Sequence, residues 1–137
     1  MKTNQIIDNV MEKEFDFVIY PLKLVIMVGT PYEELVSRFN NKEKGKEGWD
    51  SEEYIETVAS FVNLVLDTKD DQYKILLYFK DKEKMTMRNI CHESFHVAIS
   101  VCSFCNMDLG FNVGQDEHPA FIAGFVGNCA GLMFNEL

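Results

Sequence analysis

The sequence contains no apolar run long enough to cross a membrane. Its longest apolar stretch, residues 17–29, is interrupted by Pro21 and Lys23 and falls short of the roughly 20 apolar residues that a spanning helix needs. No apolar segment follows the first lysine, so we predict no secretory signal peptide. These two absences predict a cytoplasmic protein.

Basic residues are also scarce. The chain has 13 lysines and arginines against 22 acidic residues, and its formal net charge is −9. A chain this acidic is repelled by nucleic-acid phosphates and anionic lipid headgroups unless a basic patch reverses the field. The lysines near positions 42–46 and 80–84 alternate with acidic residues, which is typical of a solvated surface. We therefore predict neither nucleic acid nor membrane as a partner.

Cysteine is limited to four residues, and without an export signal these should be reduced thiols. Cys102 and Cys105 form a C-x-x-C pair, a spacing found in redox and metal sites. Together with Cys91, Phe95 and Ala98 they recur at alternating steps of four and three, which predicts one continuous helical stripe. We interpret the pair as buried core, because free cysteine is among the most buried residue types.

Length and composition predict one domain. The chain has 137 residues, of which 47% are hydrophobic and 26% charged. These values are typical of a globular domain that builds its own core. No internal repeat or low-complexity tract divides the sequence, so residues 1–137 are treated as a single unit.

The pattern of apolar residues predicts an α+β fold. β-Branched and aromatic residues predict strands at 22–28, 56–66 and 72–80, with a hairpin between the last two. A short helix is predicted after the first strand, with Thr30 as its N-cap, Pro31 at its first position and Phe39 at its end, and a charged loop follows at 40–53. After the hairpin, the sequence predicts a helix at 85–106 capped by Thr86, a loop at 107–115 and a last helix at 116–134. Together they predict a small antiparallel sheet packed against two C-terminal helices.

An H-E-x-x-H motif lies at residues 92–96, inside the first of the two long predicted helices. Residues four apart lie on one face of a helix, so the imidazoles of His92 and His96 can bind a single ion. Glu93 lies one step further round, where it can take the proton of a metal-bound water. Zinc accepts nitrogen and oxygen ligands and keeps a position open for that water. The motif therefore predicts a Zn²⁺ site with Glu93 as the general base.

A third protein ligand is expected from the last helix, and Glu117 is our first choice. Glycines at 124, 127 and 131 follow it at helical spacing, and they cost helix stability unless another backbone must come very close. The expected neighbour is the motif helix, which would bring Glu117 to the ion. A carboxylate in the first turn of a helix is also favoured by the helix dipole.

Two neighbours of Glu117 are alternatives for this ligand. Pro119 disfavours helical geometry at His118, so His118 is a possible helix cap. Glu117 would then lie outside the helix and would no longer share a helix face with the glycines. In that case His118 or Asp116 replaces Glu117 as the ligand. If His118 is not a ligand, it is a candidate for stabilising the oxyanion of an intermediate, a role that a tyrosine of the sheet would serve as well.

The segments MTMRNICHESFHVA and DEHPAFIAGFVGNC resemble the zincin metallopeptidases, specifically the gluzincin-like branch with two histidines and a downstream glutamate. They look most like the short single-domain HExxH proteins of phage and Bacteroides genomes, in which a strand such as ILLYFKDKEKM precedes the motif helix. The resemblance implies a minimal zincin fold with His92, His96 and Glu117 as zinc ligands and Glu93 as general base. Unlike the longer gluzincins, this chain lacks an asparagine–glutamate helix motif with a following aspartate, and it lacks a large substrate domain.

Motif and resemblance together predict a zinc metallopeptidase that hydrolyses a peptide or protein substrate. The presence of Glu93 favours an enzyme, because a structural zinc site needs no base. Two alternatives share the motif. One is a catalytically inactive zinc-binding or protein-capturing module of the same fold, and the other is a zinc hydrolase of a non-peptide amide or ester.

Overall fold

A computed structural model of the chain describes residues 10–43, 48–107, 109–110 and 116–137. The strands are β1 (Met11–Asp16), β2 (Lys23–Val28), β3 (Phe39–Asn41), β4 (Ser60–Asp67) and β5 (Gln72–Phe79). The helices are α1 (Tyr32–Arg38), α2 (Glu52–Thr57), α3 (Met87–Phe104) and α4 (Glu117–Glu136), with a 3₁₀ turn at Lys82–Lys84. The predicted α+β class is confirmed.

The sheet is mixed, and the prediction of a purely antiparallel sheet was wrong. Its strand order is β1-β2-β5-β4-β3, and the central strands β2 and β5 run parallel. All other neighbouring pairs are antiparallel. Both central strands are buried over most of their length, and near-continuous apolar runs of this kind are typical of buried parallel strands. The chain between them, which contains α1, β3, α2 and β4, is long enough for the crossover that a parallel pair requires.

The predicted β4–β5 hairpin is confirmed, but its first strand begins at Ser60 and not at residue 56. Residues 52–57 form α2 instead, because the side chain of Ser51 caps this helix by accepting a hydrogen bond from the Tyr54 backbone N–H. Residues 39–41 form the short strand β3, where the sequence predicted the end of the first helix and the start of the loop at 40–53. This strand pairs with the far end of β4.

The predicted helix starts have mixed outcomes. Thr86 is the N-cap of α3, as expected, and its hydroxyl accepts a hydrogen bond from the Asn89 N–H. α1 begins one residue later than expected, with Pro31 in the N-cap position and no capping side chain. Much of the predicted loop at 107–115 lies outside the described residues.

Two apolar cores cover the two faces of the sheet. The larger lies between the sheet and α3–α4, and the smaller lies on the opposite face around α1. Successive strand residues point to opposite faces, so Leu24 and Ile26 belong to the larger core and Val25 and Met27 to the smaller one. This packing fixes α3 against β4 and β5. None of the helices in the described part of the chain is long and apolar enough to span a membrane.

The cysteine-containing stripe of α3 is only partly buried. Cys102 and Ala98 lie in the larger core and Cys105 packs against it, but Cys91 and Phe95 are exposed. Burial raises the pKa of the Cys102 and Cys105 thiols, which keeps them protonated. The core interpretation of the C-x-x-C pair therefore agrees with the structure, and the stripe does not extend as core to the N-terminal half of the helix.

A buried ionic network lies at the Asp67 end of β4. The ammonium nitrogen of Lys74, which is 1% exposed, lies 2.7 Å from a carboxylate oxygen of each of Glu14, Asp67 and Asp70. Arg38 Nη2 lies 3.1 Å from Asp67 Oδ2. Burial opposes ionisation of Asp67, but hydrogen bonds from Arg38 and Lys74 outweigh it and lower the pKa of Asp67 to about 2.

Candidate metal centre

The motif residues project from α3 towards the Ser60 end of β4. His92 and His96 are exposed, and their Nε2 atoms lie 3.3 Å apart. The ring centroids are 4.8 Å apart, with the planes at 73° to each other. Because residues 92–96 lie well inside an 18-residue helix, the backbone fixes this spacing, and the two rings share one face.

The distance between the two imidazoles fits a tetrahedral zinc ion. Two nitrogens bound to one tetrahedral zinc at about 2.0–2.1 Å stand roughly 3.3–3.4 Å apart. The Nε2 atoms of His92 and His96 have this separation. The pair therefore needs little rearrangement to bind one ion.

Glu93 is held differently from the two histidines. It is 5% exposed and points towards the sheet, where the hydroxyl of Ser60 donates a hydrogen bond of 2.6 Å to Glu93 Oε2. Ligand atoms of Glu93, His92 and His96 nevertheless all lie within 4.8 Å of one another. The carboxylate is thus beside the imidazole pair, fixed by β4 and shielded from bulk water.

The cleft in front of these groups has a volume of about 280 Å³, and Glu43 is the one further acidic residue among the described residues that line it. Glu43 follows β3, and its backbone N–H donates to Asn41 Oδ1 at 3.0 Å. The same oxygen accepts from Asn63 Nδ2 at 3.2 Å, and Asn41 Nδ2 donates to the Gly48 carbonyl at 2.8 Å. The Asn41 side chain therefore ties the start of this segment to β4 beside the cleft. The described residues that line the cleft are Glu43, Ser60, Phe61, Val62, Asn63, His92, Glu93, His96 and Ser100.

β4 presents an open main-chain edge beside the cleft. β3 pairs with β4 only over Val65–Asp67, and the Lys42 N–H extends this contact to the Leu64 carbonyl at 2.8 Å. Main-chain groups of a strand alternate between its two edges, so those of Val62 and Ser60 point outward on the same side as those of Leu64. β5 pairs with the other edge of β4 along its whole length, but within the described part of the chain no strand pairs with this edge at Ser60 and Val62.

α4 runs antiparallel to α3, as contacts at its middle and near its start indicate. A Cβ built on Gly127 would lie 4.0 Å from Ser94 Oγ, which places the middle of α4 beside the motif. Nearer its start, His118 Nδ1 lies 2.7 Å from the Tyr20 hydroxyl. Burial and the neighbouring thiol of Cys102, near the end of α3, raise the pKa of Tyr20. The first turn of α4 therefore lies by the last turns of α3.

The structure does not bring Glu117 or His118 to the motif histidines. Ten residues of α4 separate Glu117 from Gly127, about 15 Å at the rise of an α-helix. Among the described histidine, cysteine, aspartate and glutamate side chains, the group formed around His92 and His96 includes Glu93 but neither Glu117 nor Glu43. His118 is hydrogen-bonded to Tyr20 at a distance from the cleft, and Asp116 precedes α4 at the same end.

The prediction that the glycines of α4 allow a close backbone contact with α3 was wrong. A Cβ built on Gly124 or Gly131 meets no atom within 4 Å, and one on Gly127 meets only Ser94 Oγ at 4.0 Å. The glycines line an open groove between α3 and α4 instead of a close backbone contact. They therefore do not draw the first turn of α4 to the motif.

Two residues of the site were not identified from the sequence, Ser60 and Glu43. Ser60 is close to Glu93 only because α3 packs across the start of β4. Glu43 belongs to a charged segment whose composition is typical of a solvated loop, and its position depends on the pairing of β3 with β4. Both contacts are long-range in sequence, so no local pattern indicates them.

No protein-family model, no curated protein and no solved structure matches this chain.

Proposed function

We propose that the protein is a zinc-dependent hydrolase that cleaves peptide bonds, with a zincin-like arrangement of its motif helix. The observation that supports this most strongly is the pair of Nε2 atoms 3.3 Å apart beside a buried, hydrogen-bonded carboxylate. Two exposed histidines alone would serve a structural metal site. The additional Glu93 carboxylate, held by Ser60, is what a base for water activation requires.

In this proposal His92 and His96 would hold the ion. Glu43 lies outside the 4.8 Å group of His92, Glu93 and His96, and its carboxylate would move towards the ion to become the third protein ligand. Glu43 is the only other carboxylate among the described residues that line the cleft. Bound zinc would lower the pKa of a coordinated water and polarise a substrate carbonyl. Three protein ligands leave the fourth position open, as catalytic zinc sites require.

Glu93 acts as the general base. Its buried carboxylate accepts a proton from the attacking water, and the same group then delivers that proton to the leaving amine. The hydrogen bond from Ser60 to Oε2 restricts the carboxylate to one orientation beside the imidazoles. Ser60 is therefore a positioning residue, because it acts through Glu93.

The open half of β4 is suited to an extended peptide substrate. The outward main-chain groups of Ser60 and Val62 can pair with a substrate strand, a mode in which main-chain hydrogen bonds supply much of the affinity. A strand bound at this edge would lie directly beside the cleft that contains His92 and Glu93. This proximity favours a peptide over a small ester or amide.

The test compares zinc-loaded wild type, Glu93→Gln and Glu117→Gln on a mixture of peptides, with cleavage followed by mass spectrometry. We expect Glu93→Gln to cleave at least about 100-fold more slowly than wild type, because general-base catalysis typically contributes that much. Zinc content should be unchanged in this variant, and Glu117→Gln should cleave like wild type.

Other outcomes would overturn the proposal in distinct ways. Equal turnover by Glu93→Gln and wild type would reject Glu93 as the base. Full zinc occupancy of the wild type with no cleavage of any peptide would reject a peptidase. Hydrolysis of non-peptide esters or amides would then identify the alternative hydrolase, and stable capture of an intact protein would identify the inactive binding module.

A further inference from the structure

A groove of about 770 Å³ runs between α3 and α4, on a different face of α3 from the metal site. It shares no residue with the cleft that contains His92, Glu93 and His96. Its volume lies within the range of about 300–1,000 Å³ that is typical of small-molecule sites. The groove is lined by Met85, Thr86, Met87, Ile90, Cys91, Ser94, Ala123, Gly124, Gly127, Gly131, Phe134 and Asn135.

Three of the six α4 residues that line the groove are glycines. Side chains at Gly124 and Gly131 would meet no atom within 4 Å, so the space above them is open. Glycine in a helix interior is costly relative to alanine, and no close backbone contact explains it here. Residues 118–135 of α4 also include no lysine, arginine, aspartate or glutamate.

Ser94 supplies a second and independent observation. It is 3% exposed, it lines the groove, and its hydroxyl has no hydrogen-bond partner among the described residues. Buried hydroxyls are almost always paired, and an unpaired one is unfavourable. A serine in a helix usually satisfies its hydroxyl with the carbonyl four residues earlier, but Ser94 does not. This oxygen lies beneath Gly127, which also lines the groove, so a molecule seated there would lie next to an unpaired hydroxyl.

We propose that this groove binds an uncharged aliphatic molecule that carries one hydroxyl or carbonyl oxygen, with that oxygen hydrogen-bonded to Ser94 Oγ. An apolar lining with a single buried polar group is the usual composition of a site for such a ligand. None of the described residues that line the groove is charged, so a carboxylate or phosphate would lose its hydration without compensation from them. The aliphatic chain would lie along the glycines and contact Met85 and Phe134.

The probe is 1-octanol, titrated into the full chain with ¹³C-labelled methionine methyl groups, since Met85 and Met87 both line the groove. We expect saturable shifts of these two methyl signals. Octanoate, the anion of the same length, should bind at least tenfold more weakly. Ser94→Ala should weaken octanol binding by roughly fivefold to tenfold, as expected for the loss of one hydrogen bond.

Two leucine substitutions on α4 form a matched pair. Gly124→Leu fills the groove and should abolish the octanol-dependent shifts, whereas Asn128→Leu, one turn away and outside the groove, should leave them unchanged. Circular dichroism establishes that both variants fold. Absence of saturable shifts in the wild type would overturn the proposal, as would octanoate binding as tight as that of octanol.

Self-association is the remaining outcome that would overturn it. If the wild type is a dimer by sedimentation, Gly124→Leu is a monomer and octanol does not bind, then a second copy of the chain occupies the groove. Because the groove and the metal cleft share no residue, none of these results depends on whether the protein is a zinc hydrolase.

Discussion

Two groups of potential metal ligands lie at opposite ends of β4. They differ in whether a basic side chain of the protein neutralises their carboxylates. At the Asp67 end, the buried ammonium group of Lys74 contacts three carboxylates. At the Ser60 end, two imidazoles and the Glu93 carboxylate lie equally close together. No lysine or arginine is among the described residues that line the cleft at this end.

This difference separates a structural cluster from a candidate site. Where the chain supplies its own cation, every buried charge is paired, and an added ion would have to displace Lys74. Where it supplies none, exposed imidazoles and a fixed carboxylate remain available to a cation from solution. Proximity of ligand atoms alone does not distinguish the two clusters, but the identity of the neighbouring charge does.

Removal of the internal cation should have the largest effect on stability. Lys74→Met leaves Asp67 buried with Arg38 as its one remaining cationic partner among the described residues, so we expect the free energy of unfolding to fall by about 3 kcal/mol. Urea denaturation measures this change. Lys69→Met, an exposed lysine on the same hairpin, is the control and should change stability by less than about 0.5 kcal/mol. A small effect of Lys74→Met would show that the network is not structural.

Removal of the proposed third ligand should act on the metal and not on the fold. Glu43→Gln should weaken zinc binding by at least about 100-fold, because even groups that only orient zinc ligands are worth about 10-fold to 100-fold. Competition with a chromophoric chelator measures the affinity. Glu117→Gln is the matched control and should bind zinc like wild type. The reverse order of affinities would reject Glu43 and restore Glu117.

Acid should weaken the Asp67 cluster in a defined pH range. The pKa of Asp67 is lowered to about 2 in the folded protein, from an ordinary value of 3.8. Its ionised form therefore stabilises the fold fully above about pH 4, and this contribution of about 2 kcal/mol is lost as the pH falls towards 2. Urea denaturation between pH 5 and pH 2 measures the loss. If Asp67→Asn shows the same decline as wild type, another group is responsible.

The smallest expected effect concerns the glycines of α4. Because a Cβ on Gly131 meets no atom within 4 Å, Gly131→Ala should increase the free energy of unfolding by about 0.5–1 kcal/mol through helix propensity alone. Thermal denaturation of the two proteins gives the difference. A destabilised variant would mean that the backbone at this position is in close contact with another element. That result would restore the original interpretation of the stripe.

Local patterns predicted the parts of the molecule that depend on neighbours in sequence. The cap at Thr86 and the shared face of His92 and His96 require only helical spacing, and the β4–β5 hairpin requires only two apolar strands and a polar turn. These features are encoded within a few residues of each other, so the sequence alone is sufficient to place them.

Features that depend on long-range packing were not predicted correctly. The parallel pairing of β2 with β5 joins strands that are separated by four other elements. The direction of α4 along α3 moves Glu117 away from the motif, and the position of Glu43 depends on the pairing of β3 with β4. A stripe of glycines shows that the helix loses intrinsic stability. It does not show whether another element packs against the glycines, or which one.

The most direct test of the account is the zinc content of purified wild type and of His96→Ala, measured after dialysis against zinc and removal of loosely bound metal. The account predicts about one zinc ion per chain for the wild type and close to none for the variant, because one imidazole and one carboxylate are too few ligands to retain the ion. Equal zinc content in the two proteins, or none in the wild type, would contradict the claim that the motif histidines form a metal centre.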